Sequence, residues 1–116
     1  MITNQTFGQA IDAMKQGKMV SREGWSSKGL FVFMQVPSEV PAEIIPKMTS
    51  LPAAVKAEVI KRGQPLRYQN QFAIVHTDNA VCGWVASPNE CLETDWCIHE
   101  PYAMASETVG TATPLQ

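Results

Sequence analysis

Three tryptophans, Trp25, Trp84 and Trp96, each stand at an element boundary beside a small or polar residue. An indole in such a place is either a core plug or a stacking plane for a flat ligand. Its large apolar face gains from burial, while its N–H requires a partner. Trp25 is held between Gly24 and Ser26 in the stretch REGWSSKGLFVFMQV. Trp84 follows Gly83 and stands shortly before Ser87-Pro88-Asn89-Glu90, which has the form of a helix start: a capping box with proline at the first helical position. A helix N-terminus offers unpaired N–H groups and partial positive charge. An aromatic plane beside it suits a small nucleotide, with stacking for the base and N–H donors for the polar part.

Signatures of catalysis are missing. There is no GxSxG elbow and no HExxH. The spacing of Gly24 and Gly29 imitates a phosphate-binding loop, but Leu30-Phe31 stands where Lys-Ser/Thr is obligatory. His76 and His99 are the two histidines, and both fall near the ends of predicted strands, as ordinary half-buried residues. They form no compact set of base, orienter and nucleophile. Glu90, Glu93 and Asp95 gather around the short helix. Glu90 is accounted for by its capping position, Glu93 faces water, and Asp95 is expected to bond backbone N–H groups or Arg22. The sequence therefore points to no catalytic residue, metal ligand or cofactor. Cys82, Cys91 and Cys97 are odd in number and lack CxxC spacing. They are expected to be small buried hydrophobes in a reducing cytosol, neither a disulfide frame nor a zinc site.

Bulk properties narrow the classes further. The chain has 116 residues, 45% of them hydrophobic, enough for a core of one domain. With a net charge of −2 and 17% charged residues, it lacks the basic surplus that long nucleic acid demands. So few charges also point to surface hidden in an oligomer. No apolar run approaches the ~20 residues of a membrane span, and MITNQTFG has no basic or apolar leader pattern.

The elements that must position these residues follow from local signals. Thr6 and Gln9 fit a capping box, and Phe7, Ala10, Ile11 and Met14 recur on one helical face, with Gly17 ending the helix. Residues 18–22 and 30–36 predict strands around a turn bracketed by Gly24 and Gly29. Pro37, Pro41, Pro46 and Pro52 break any ladder or helix over residues 37–52, which predicts an irregular excursion. Residues 52–62 predict a helix closed by Gly63. Residues 71–77 and 80–86 flank Asp78-Asn79 as a hairpin. After the short helix, residues 95–99 give a last strand. The fold class is α+β: a single antiparallel sheet of about five strands packed against an N-terminal helix, with a Pro-rich insertion and short helices. Residues 1–103 are expected to form one domain, and 104–116 a flexible tail. A lone sheet has a second face to cover, and dimerisation or tetramerisation would do so.

The ordered set Phe7, Ala10, Gly17-Lys18, Arg22, Gly24-Trp25, Lys28-Gly29, Trp84, Ser87 and Asp95-Trp96 resembles the second Thoeris anti-defence family of small phage proteins. The likeness spans about residues 6–98. Glu90 stands where that family often carries aspartate, and Pro88 and Asn89 replace commoner polar residues. The resemblance implies a sponge: a homotetramer in the host bacterial cytoplasm that sequesters cyclic nucleotide immune signals without cleaving them. The implied ligand is glycocyclic ADP-ribose, and some members also hold cyclic dinucleotides at separate sites, so blunting CBASS defence as well. By that likeness Phe7, Trp25 and Trp84 form aromatic walls. Ser87 and its neighbouring N–H groups hold ribose or phosphate oxygens, Glu90 is a further ligand-binding residue, and Arg22 contacts phosphate or pairs with Asp95. Two other classes compete with this reading: an enzyme that processes such a nucleotide, and a protein-interaction module using Trp25 and Trp84.

Overall fold

A computed structural model describes residues 1–25 and 28–100 of the chain. The expected tail, 104–116, and the Ser26-Ser27 pair of the tryptophan turn lie outside the described residues. In chain order the elements are β1 (Ile2–Gln5), α1 (Phe7–Lys15), β2 (Met19–Arg22), β3 (Phe31–Met34), β4 (Ser38–Val40), a 3-10 turn (Ile45–Lys47), α2 (Ala53–Arg62), β5 (Leu66–Tyr68), β6 (Phe72–Val75), β7 (Val81–Gly83), α3 (Pro88–Leu92) and β8 (Trp96–His99). Among the described residues they divide into two compact units: 1–35 with 71–100, and Val36–Asn70.

The first unit is a six-stranded antiparallel sheet in the order β1-β8-β2-β3-β6-β7, with α1 packed on it. Thr6 starts α1 through both halves of a capping box, and Gly17 follows its end at φ 90, a left-handed conformation that suits glycine. Ala10, Ala13 and Met14 form the buried stripe of the helix. Two alanines there let the helix lie close to the sheet, where Met14 fills the remaining space. Register explains what they meet. Val20 pairs with Ile98 on one side and Val32 on the other, and Val32 pairs with Ile74. Directly paired residues share a face, so these apolar side chains make one row across four strands. The opposite face carries Ser21, Cys97, His99, Phe31 and Phe33, with Ser21 paired to Cys97.

The antiparallel sheet of about five strands packed on an N-terminal helix is as expected, with β1 as a sixth strand paired to β8 through an irregular register in which Asn4 takes φ 58. Two expectations needed correction. The β6–β7 loop holds three residues, 77–79, because His76 N–H donates to Ala80 O at 2.9 Å and Asn79 alone turns left-handed, φ 68. Cys97 is buried as expected, but Cys82 and Cys91 are exposed free thiols.

The second unit also departs from expectation. Between Pro37 and Pro41, β4 pairs with β5 as a two-stranded ribbon, with Glu39 opposite Arg67. The prolines flank the strand and leave its ladder intact. Ile45 is fully buried at the 3-10 turn, and Lys56 on α2 donates to Pro46 O at 3.2 Å. Gly63 closes α2 at φ 67, as its position predicted.

Candidate functional site

Four elements of the first unit deliver aromatic rings to one cluster. Phe7 is the first residue of α1, Trp25 lies in the turn after β2, Trp84 directly follows β7, and Trp96 begins β8. Trp96 is fully buried, whereas Phe7, Trp25 and Trp84 keep part of their surface in solvent. Ring centroids lie 5.1 Å apart for Phe7–Trp96, 5.7 Å for Trp25–Trp96 and 6.0 Å for Trp84–Trp96. Trp25 and Trp84 meet edge to face at 6.3 Å and 85°. Such T-shaped pairs add about 0.5–1.5 kcal/mol each beyond area burial. The rings are therefore packed on one another, and the surface that remains for a ligand is the outer, half-exposed side of Phe7, Trp25 and Trp84.

Each ring is aimed by its backbone. The Trp25 N–H donates to Arg22 O at 2.9 Å, and Trp25 O accepts from Lys28 N–H at 2.8 Å and Leu30 N–H at 3.3 Å. Gly24 and Gly29, at φ 93 and 72, bracket this turn in left-handed conformations. The Thr77 hydroxyl donates to Lys28 O and ties the turn to the β6–β7 loop. Trp84 N–H donates to Phe72 O at 3.0 Å, so this pair extends the hairpin ladder. The three-residue loop sets that match. A two-residue loop would shift the partners by one and turn Trp84 to the opposite face. Phe72, which sequence reasoning did not single out, consequently packs 6.2 Å from Trp84 and 6.3 Å from Phe7. Its signal was the hairpin register, not its residue type.

The polar residues sit in two groups. Arg22 grips Asp95 with both ends of its fork, Nε to Oδ1 at 2.9 Å and Nη2 to Oδ2 at 3.0 Å, and Glu93 lies 4.0 Å away. The hydrogen bond from Arg22 lowers the Asp95 pKa, and the same bond raises that of Arg22. Two of the five guanidinium donors are thus committed. Ser87 caps α3: its Oγ accepts Glu90 N–H at 3.2 Å while Glu90 Oε1 accepts Ser87 N–H at 2.8 Å. Pro88 has no N–H and Cys91 N–H donates to Ser87 O, so Asn89 carries the free donor of this turn among the described residues. With the Glu90 carboxylate folded over the same turn, the cap does not favour phosphate. The Ser87 hydroxyl can still donate its own proton, which suits a ribose oxygen.

Histidine chemistry is confined elsewhere. His99 Nε2 lies 2.8 Å from Ser21 Oγ, and burial lowers the His99 pKa. Ser21 is 0% exposed, so a substrate cannot reach this hydroxyl. His76, expected to be half-buried, is exposed.

Comparison with known proteins bears on the whole of this unit. Residues 5–99 match the family model described as the Thoeris anti-defense 2-like domain. The chain is also 30% identical over 98 residues to the protein named Thoeris anti-defense 2 from Bacillus phage SP01, an alignment covering 84% of this chain and 98% of that protein. The matched span holds every ring of the aromatic cluster, the Arg22–Asp95 pair and the α3 cap.

Proposed function

The chain belongs to the Thoeris anti-defense 2-like family, and from that premise we propose that it serves phage anti-defence by binding cyclic nucleotide immune signals and holding them uncleaved. The observation that carries this reading is the half-exposed trio Phe7, Trp25 and Trp84, seated on buried Trp96. The outer faces of Trp25 and Trp84 stack the base, the Ser87 hydroxyl meets a ribose oxygen, and the uncommitted guanidinium donors of Arg22 reach a phosphate. The ligand class proposed is glycocyclic ADP-ribose, with cyclic dinucleotides as a second class.

Holding a signal at micromolar concentration takes about 8 kcal/mol. Base–aromatic stacking supplies about 1–3 kcal/mol per base. One outward-facing set of rings falls short unless a further surface closes over the ligand. A homotetramer whose interfaces cover these rings meets that need. Sequestration requires affinity without turnover, and the Ser21 hydroxyl paired with His99 lies on the sheet face opposite the aromatic cluster. The test is to incubate the protein with glycocyclic ADP-ribose, denature it by heat and weigh what is released. Recovery of the unchanged compound in stoichiometric amount is expected; a changed mass would make the protein an enzyme.

A further inference from the structure

We infer that Trp96 is the positioning residue of this site: one buried indole fixes the aromatic walls and the α3 cap relative to each other. The functional half of this inference rests on the binding role proposed above; the structural half does not. The Trp96 ring lies against Phe7, Trp25 and Trp84, each supplied by a different element. Its Nε1–H donates to Glu90 O at 2.9 Å. Glu90 is also the residue whose N–H and carboxylate complete the Ser87 cap. The helix α3 runs only over Pro88–Leu92 and buries none of its residues. A helix of that length does not persist on propensity alone. The buried indole donor therefore anchors it, since leaving that donor unpaired would be unfavourable. The same bond fixes the distance between Ser87 and the rings that stack the base. A core tryptophan with no such role would need only to fill volume.

The decisive variant is Trp96→Phe in the full chain, which keeps an apolar ring and deletes the N–H. In free protein, amide exchange of Glu90 and Cys91 should accelerate at least about tenfold while β2 and β8 amides keep wild-type rates. Unchanged exchange in α3, or acceleration throughout the sheet, would overturn the inference. With glycocyclic ADP-ribose as probe, Kd should rise about tenfold or more. Ser87→Ala should weaken binding in the wild-type background and add nothing in Trp96→Phe; additive effects would contradict the coupling. If the wild-type protein ignores the probe, the binding role fails, and amide exchange still decides the positioning role. Should Trp96→Phe lose cooperative unfolding, the coupling is read from the other end. In Ser87→Ala the indole N–H of Trp96 must exchange faster while those of Trp25 and Trp84 keep their rates; an unchanged Trp96 rate would overturn the proposal.

Discussion

At the scale of single residues, the indoles divide by burial. Trp25 and Trp84 keep solvent-facing surface, so replacing either with alanine should weaken binding of glycocyclic ADP-ribose by about 1–3 kcal/mol and leave a cooperative fold, by calorimetry beside thermal melting. Trp96→Ala empties a buried site and should cost about 3–5 kcal/mol of stability in denaturant titration. The Arg22–Asp95 pair gives a pH signature. Asp95 is depressed when folded, so its contribution is complete above the ordinary aspartate pKa of about 4 and disappears as pH falls through the folded value. Both side chains are a fifth to a third exposed, which keeps the effect small, about 1 kcal/mol. Thermal melting of Asp95→Asn should lie below wild type at pH 7 and converge with it near pH 2. Equal melting temperatures at pH 7 would remove the pair from the stability argument. Arg22 was one of the two kinds of partner legible for Asp95, beside backbone N–H groups, and the pair forms. The exposure of Cys82 and Cys91 was not: an edge strand and a short surface helix leave small apolar side chains uncovered, and nothing in the residue type announces it.

At the scale of elements, both capping boxes were readable because they depend on four consecutive residues. Thr6→Ala and Ser87→Ala each remove one cap, and Thr6→Ala should cost about 0.5–2 kcal/mol by urea denaturation. Ser87→Ala should cost less, because α3 packs so little that its fraying barely loads the global fold. Equal losses would mean that α3 is part of the cooperative core. The elements that escaped the sequence have local reasons. β1 reads ITNQ, polar and without alternation, and it exists because β8 offers it an open edge. β4 and β5 are three-residue strands hemmed by proline, visible only once paired. The β6–β7 loop was located but assigned one residue too few. That single residue decides whether Phe72 or its successor along the register faces Trp84.

At the scale of the molecule, the order β1-β8-β2-β3-β6-β7 places β8, the last of the described strands, between the first two. That crossover brings Trp96 beneath Phe7 and Trp25, and the hairpin brings Trp84 across from the far side. No local pattern encodes this gathering, although the three indoles were marked by their boundary positions and Phe7 by the family likeness. The proposed closure of the rings by further copies makes a solution mass near a tetramer the expected result of light scattering. A monomer at micromolar concentration would leave the rings uncovered and contradict the closed-pocket account. Native mass spectrometry of the full chain against a panel of cyclic nucleotides tests sequestration most directly. The expected spectrum is an oligomer carrying intact glycocyclic ADP-ribose in fixed stoichiometry, with Trp25→Ala or Trp84→Ala losing it. An apo spectrum with every cyclic nucleotide in the panel would contradict it.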